Sequence, residues 1–284
     1  MTKRGSILTV VLWLITTMAL FGVGLARISR TAYSFSNRVR NDLIALNAIK
    51  AVTYSVMADR LNDMSPAQDS VSELSAENEY TAGDIVIKYS MEDEERKINI
   101  NKAPSSLLKE LPSMDMDIAI EITSSLNKPF YPKEQVLVLD DMDEDIYNDI
   151  KDLITVYGEG LININTCGEE VLKIAGMDDA LIGRIMEFRA GKASEETEEG
   201  GVSAGVFESM GSFLNDIQEQ VYLTEGEKQE LKVLIGKKLF TVKSNNYTIK
   251  ASAYFKDKLI RKYSVTIGKK NSEKEYSIME WREE

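Results

Sequence analysis

The sequence contains no histidine, a single cysteine (Cys167) and five prolines among 284 residues. Without histidine there is no Ser-His-Asp triad, no HExxH zinc site and no haem held by histidine. A lone cysteine rules out an intramolecular disulfide and any paired-thiol metal or redox motif. No charged residue lies between Ser6 and Ala26. The chain is therefore not expected to be an enzyme, and no cofactor is expected. What remains is an ordinary globular balance, 43% hydrophobic and 28% charged, enough for one sizeable core or two smaller ones.

Charge is strongly segregated. The formal net charge of −12 hides a basic N-terminal region, a strongly acidic middle over residues 61–223 and a basic C-terminal region from 224 onward. Binding to nucleic acid draws most of its affinity from neutralised phosphates, which an acidic middle opposes. Nucleic acid is not expected as a partner.

The chain opens Met1-Thr-Lys-Arg-Gly5, followed by the apolar run SILTVVLWLITTMALFGVGLA from Ser6 to Ala26. As a helix this run is roughly 31 Å long, enough to cross a hydrocarbon core. A cleaved secretory signal, a plain membrane anchor, and a basic leader ending in Gly directly before a retained helix all remain open here. The third pattern resembles the class III signal of type IV pilins and type II secretion pseudopilins. That resemblance implies a processing site at Gly5 and Ser6, cut by a prepilin peptidase. Val10 stands where most of those proteins carry Glu, and the K-type minor pseudopilins characteristically lack that Glu. Beyond the apolar run, Val39, Leu43, Leu46, Ile49, Val52 and Val56 recur every 3–4 residues, the spacing of one helix face. No Pro or Gly interrupts residues 25–65, and Ser65-Pro66 is the expected stop. A juxtamembrane coiled coil is the competing reading of this stem.

Past the stem, residues 67–83 read as a loop with one short helix. Asp84–Met91 alternates as a strand, and Arg96–Asn101 is expected to pair with it across the polar turn Glu92–Glu95. Tyr247–Phe255 and Leu259–Ile267 form a second expected hairpin around Lys256-Asp257-Lys258, and Glu275–Trp281 reads as a further strand. Between the hairpins the sequence is helical and repeats itself. Ile98-Asn-Ile-Asn101 recurs as Ile162-Asn-Ile-Asn165, Phe130 matches Phe207, and Leu153-Ile-Thr-Val156 matches Leu239-Phe-Thr-Val242. The acidic, Gly-rich insertion Lys192–Ala204 breaks the register and is expected to be a solvated loop. Asn101 and Asn165 are expected to cap the first helix of each repeat. The turns between the paired helices are Leu111–Asp115 and Ala175–Asp178.

These repeats are similar to the helix-hairpin-helix units of K-type pseudopilins and of the competence DNA receptor family. Asp115, Asp178 and Asp179 sit where a phosphate would have to approach, which favours a structural role. Leader, stem, strands, helical unit and the closing Glu280–Glu284 together resemble the general secretion pathway protein K family, minor pseudopilins of type II secretion. The resemblance implies an α+β fold: a long N-terminal transmembrane and stem helix, an antiparallel pseudopilin sheet, and an inserted all-α domain of two helix-hairpin-helix-like repeats. The implied layout is a leader at 1–5, a transmembrane segment at 6–26, a stem at 27–65, strands at 66–98, the helical insertion at 99–240 (repeats 99–157 and 163–243) and strands at 241–284. It implies a structural role near the tip of a secretion pseudopilus, with other minor pseudopilins, inner-membrane secretion components and the prepilin peptidase as partners. The resemblance further implies a setting in the bacterial cytoplasmic membrane, crossed once, with the C-terminal body outside the cytoplasm. A membrane-anchored DNA receptor is the alternative.

The remaining clusters read as structural. Asp141, Asp143 and Asp145 echo a calcium loop but lack its turn Gly and closing Glu, so an acidic helix start is preferred. The family has calcium-binding members, yet no ligands align here and no metal residues are assigned. Cys167 reads as a small packing residue, and Tyr33, Phe35 and Tyr54 as interface or core positions on the stem. Lys243, Lys250, Lys256, Lys258, Arg261 and Lys262 make the C-terminal strands basic, suited to solvation or to contact with acidic surface.

Overall fold

The computed structural model describes residues 3–63, 69–190, 205–220, 222–269 and 275–284. Met1-Thr2 of the leader, the Ser65-Pro66 stop and the 192–204 insertion fall outside these residues. The fold is α+β.

One helix, α1 (Lys3–Asn62), carries both the apolar run and the stem without a break. A short α2 (Val71–Ser75), capped by Ser70, leads into β1 (Asn78–Ala82) and β2 (Ile85–Asp93), which turn on Gly83 at φ +63°. Only a residue without Cβ takes that conformation at little cost. At the far end of the chain, β7 (Asn246–Phe255), β8 (Lys258–Gly268) and β9 (Ser277–Glu283) complete a sheet of order β1-β2-β7-β8-β9, antiparallel throughout. The β7–β8 turn lies at Lys256-Asp257, both at positive φ, as the spacing predicts. The first hairpin differs from expectation. The partner of β2 is β1, in the stretch read as loop, because Arg96–Asn101 is drawn elsewhere by the helical unit.

The segment between β2 and β7 returns the chain to the same sheet after more than 150 residues. It opens with a one-turn 3-10 helix (Glu94–Arg96) and β3 (Ile98–Asn99), then α3 (Ser105–Leu108), α4 (Met116–Ser124), a second 3-10 stretch (Lys133–Val138), α5 (Glu144–Ile150) and β4 (Ile154–Thr155). The second repeat runs β5 (Ile162–Asn163), α6 (Glu169–Ile174), α7 (Asp179–Ala190), α8 (Phe213–Gln220), α9 (Glu225–Gly236) and β6 (Phe240–Thr241). Each repeat closes on itself through a two-residue parallel pair, β3 with β4 and β5 with β6. These are the Ile-Asn-Ile-Asn and Leu-x-Thr-Val segments that repeat in the sequence.

Two separate cores result. One joins α1 to the sheet through Ala45, Ala48, Ile49, Val52 and Val56, packed on Ile87, Ile249, Val265 and Ile267. The other fills the helical unit with the aliphatic residues of both repeats, including Leu108, Ile122, Leu172 and Ile185. Three aromatic rings anchor the second repeat: Phe207 stacks on Phe188 and meets Phe213 edge-on, each pair with centroids 4.3 Å apart.

Candidate assembly face and the seam between sheet and helical unit

Gly5 and Ser6 lie in the first turns of α1, so the backbone around the expected processing site is helical and continuous with the apolar run. That run is long and apolar enough to cross a membrane, and its most apolar window has no buried residue.

The stem divides differently from the sequence expectation. Val39 to Val56 spans 17 positions, and at about 100° per residue such a series winds roughly 100° around the helix. Ile49, Val52 and Val56 are buried against the sheet, whereas Val39 and Leu43 are exposed. The part of that face nearest the body is therefore consumed by the protein's own sheet. A second stripe, Val39, Leu43, Tyr54 and Leu61, lies on the opposite side and is exposed, with Leu43 at 56% and Tyr54 at 60%. Tyr33 and Phe35 continue the exposed apolar surface toward the membrane. Arg60 fixes the end of the stem: its Nη1 contacts both oxygens of buried Asp69 at 2.7 and 2.8 Å, and its guanidinium lies over Tyr247, whose hydroxyl donates to Asp69. Burial alone would lower the Arg60 pKa; the Asp69 carboxylate outweighs it and raises it.

Asn101 and Asn165 do not cap helices. The first helices of the repeats start at Pro104 and Gly168, which offer no side-chain cap. Each asparagine instead clamps a distant backbone: Phe130 N–H donates to Asn101 Oδ1 (2.8 Å) while Asn101 Nδ2 donates to Phe130 O (3.1 Å). Asn165 repeats this on Phe207 at 2.9 and 3.0 Å. The reason is geometric. Asn99 and Asn163 take up the local turn, accepting the amides of Asn101 and Asn165, which leaves the second side chain free to reach across.

The acidic stretch expected to be a polar turn is buried. Asp93, Glu94 and Glu95 are exposed by 2%, 6% and 5%. Asp93 accepts from Glu95 N, Asn163 Nδ2, Thr166 Oγ1 and Ser244 Oγ. Glu94 accepts from Lys97, Thr155 and Thr248, and Glu95 from Asn245 N and Asn246 Nδ2. These three carboxylates join both repeats to the sheet. Burial, then the neighbouring Asp93 charge, pushes Glu95 up to about 7, and burial raises Asp93. Glu92 goes the other way: burial opposes its charge, but Lys97 and Lys250 hold it at about 2. Nothing in the local sequence marks these residues, because their donors lie 61 to 154 positions away, save the Lys97 and Glu95 contacts.

Carboxylates stand at the helix starts of both helical hairpins. Asp115 caps α4 through Ile118 N, Asp178 accepts from Leu181 N, and the Asp178 amide itself donates to Glu230. Asp179 bridges to Lys173 at the surface. The acidic cluster is a helix start, as preferred from the sequence: Asp143 caps α5, and the amides of Asp140 and Asp141 donate to Glu121. Among the described residues no group of three His, Cys, Asp or Glu side chains is placed to hold a metal ion. Cys167 is fully buried, and burial pushes its thiol up to about 12. The basic strands are partly neutralised: Lys250 pairs with Glu92, Arg261 with Asp42 and Glu283, and Lys262 with Glu284.

A long helix laid on an antiparallel sheet, with a helical unit carried between the second and third strands, is a pseudopilin-like α+β fold. It matches a chain in the crystal structure of the GspK–GspI–GspJ complex from the type 2 secretion system of enterotoxigenic Escherichia coli. The match has a TM-score of 0.55 and 13% identity, over 90% of this chain and 99% of that one. No protein-family model and no curated protein sequence matches the chain.

Proposed function

We propose that this chain is a minor pseudopilin of the general secretion pathway K type, placed at or near the tip of a type II secretion pseudopilus, and that it is a structural subunit with no enzymatic activity. The observation that carries the reading is the stem. On a pseudopilin-like fold, α1 has one apolar face spent on its own sheet and a second, Val39, Leu43, Tyr54 and Leu61, left exposed. That stripe suits packing against the stem helices of other minor pseudopilins, subunits like those that accompany GspK in the GspK–GspI–GspJ complex. Inner-membrane secretion components are the further partners.

A prepilin peptidase cuts between Gly5 and Ser6, the apolar run stays in the cytoplasmic membrane as a single span, and the body lies outside the cytoplasm. Val10 leaves no carboxylate at the position where pilin subunits meet a neighbour's N-terminal amine inside the membrane, where an unpaired charge is costly. Such a subunit is suited to begin a row rather than to join one. The helical unit adds bulk that a packed shaft would not accommodate. DNA uptake is the weaker alternative, since both hairpins present carboxylates where a phosphate would sit.

Co-expression with a prepilin peptidase followed by N-terminal mass spectrometry is the test. A mature chain beginning at Ser6 is expected, and Gly5→Leu abolishes it. An intact Met1, or a terminus near residue 26, overturns the reading. Leu43→Asp and Tyr54→Asp should leave the monomer folded and abolish co-purification with partner pseudopilins. Retention of those partners would mean that the stripe is not the contact.

A further inference from the structure

Asp93 and Glu95 are two buried carboxylates on one short turn, and among the described residues neither forms an ion pair. Every hydrogen bond they accept comes from a neutral donor. Burying a charge without a counter-charge is costly, and burying two side by side is more so. Their partners lie on three parts of the fold. Asn163 and Thr166 belong to the second repeat, and Ser244, Asn245 and Asn246 lie at the entry to β7. Gly158 ends the first repeat, and a Cβ there would stand 2.6 Å from Glu95 Oε1. The carboxylates are thus the place where sheet and repeats are joined.

Glu95 also has access to protons. It lines two openings, of about 270 and 350 Å³. From the stem, Arg60 and Asp63 face it across the first opening. The first repeat contributes Lys102, Tyr131, Tyr157 and Glu159, and the strands with their loops contribute Lys243, Tyr247, Lys269 and Tyr276. Arg60 is committed to Asp69, and the Lys269 ammonium lies over the Tyr276 ring, 4.8 Å from its centroid. Of all these groups the one that acts most strongly on Glu95 is Asp93, which disfavours its charge.

We propose that the Asp93–Glu95 pair is a proton-operated latch: uptake of one proton tightens the seam between the helical unit and the sheet, and its loss loosens the seam. The folded protein holds the Glu95 proton up to about pH 7, whereas an unfolded glutamate releases it near 4.5. The extra stability is complete below the unfolded value and is lost as pH rises through the folded one. The seam therefore firms as the surroundings fall from neutral into the mildly acidic range. The latch needs only the fold; its use, in a body held outside the cytoplasm, rests on the pseudopilin reading. Its test involves no partner or processing, so the two can fail separately.

Hydrogen exchange read by mass spectrometry on the full chain in detergent micelles, corrected for intrinsic exchange, tests it. Between pH 8 and pH 5.5, protection at residues 156–160 and 243–247 should rise at least about tenfold, with one proton allowing up to roughly thirtyfold. Protection at the β7–β8 turn, residues 254–260, should stay level. Glu95→Gln, which removes the titrating proton and keeps one of the two acceptor oxygens, should make protection of the seam independent of pH over this range, whatever its level. An unchanged seam in the native chain, or the same rise in Glu95→Gln, overturns the proposal. Should that variant not fold, the native chain decides alone: a rise confined to the seam supports the latch, and a uniform rise or none refutes it.

Discussion

Asn101 and Asn165 perform the same task in the two repeats, down to a third, longer contact with Val156 O at 3.5 Å and Val242 O at 3.4 Å. Asn99 and Asn163, two residues earlier, do not. Asn99 Nδ2 donates to the carbonyls of Tyr157 and Gly158 inside its own repeat, whereas Asn163 Nδ2 donates to Asp93 and Ser244. The second repeat is thereby fastened to the sheet through a buried carboxylate. The first is fastened through Glu94, which accepts from Thr155, and through contacts to β9: Tyr157 to Glu280, partly buried, and at the surface Glu134 to Arg282 and Tyr131 to Met279 O. One local code thus serves two different attachments. A motif specifies how a repeat closes; its place in the molecule specifies what its spare donors meet.

The largest expected effect comes from removing the attachment unique to the second repeat. Asp93→Ala leaves four buried donors without an acceptor and should cost roughly 3–5 kcal/mol. Chemical denaturation of the full chain in micelles measures it, and a loss under about 1 kcal/mol would mean that the repeats are held equally by other contacts. Next come the clamps. Asn165 is buried and Asn101 only half-buried, so Asn165→Ala should cost about 2–3 kcal/mol and Asn101→Ala about 1–2. Equal losses would erase the distinction between the repeats.

Gly158 and Ser244 stand at equivalent places after the closing Val156 and Val242, and they sharpen the comparison further. Gly158 has φ +83°, and a Cβ there would stand 2.6 Å from Glu95 Oε1, so Gly158→Ala should cost about 1–2 kcal/mol, read in the same unfolding experiment. If it is neutral, the backbone there is free to move away from Glu95. The smallest effect is expected at the surface fastening of the first repeat. Arg282→Ala removes exposed ion pairs to Glu134 and Glu280 and should change stability by less than about 1 kcal/mol, fading with added salt.

Much of this was legible along the chain. A continuous helix through the apolar run and stem, the β7–β8 hairpin on Lys256-Asp257 and a strand near the C-terminus follow from local pattern, because helix and hairpin signals act over a few residues. The recurrence of the Ile-Asn-Ile-Asn and Leu-x-Thr-Val segments also shows along the chain, though not their pairing with each other. The first hairpin was misread for the complementary reason. Asn78–Ala82 is polar and carries almost no buried side chain, so an edge strand there has no alternation to betray it. Arg96–Asn101 does alternate, yet its buried Ile98 and Ile100 serve the helical core rather than the sheet.

By itself, then, the amino-acid sequence determined the elements that answer to short-range physics: where the chain is helical, where it turns, that the helical unit is built twice, and that one helix carries an apolar run of membrane length. Tertiary structure alone decided which stem residues remain free, since a 3.4-residue spacing says nothing of where a sheet will come to rest. It alone decided that Asn101 and Asn165 clamp backbones 29 and 42 positions away instead of capping helices. It also converted an acidic turn into a buried seam. A carboxylate run reads as solvated until its donors are known, and the Ser244 hydroxyl that reaches Asp93 is 151 residues distant. No local pattern reports on a partner so far along the chain, because only the packing of the two cores brings the groups together.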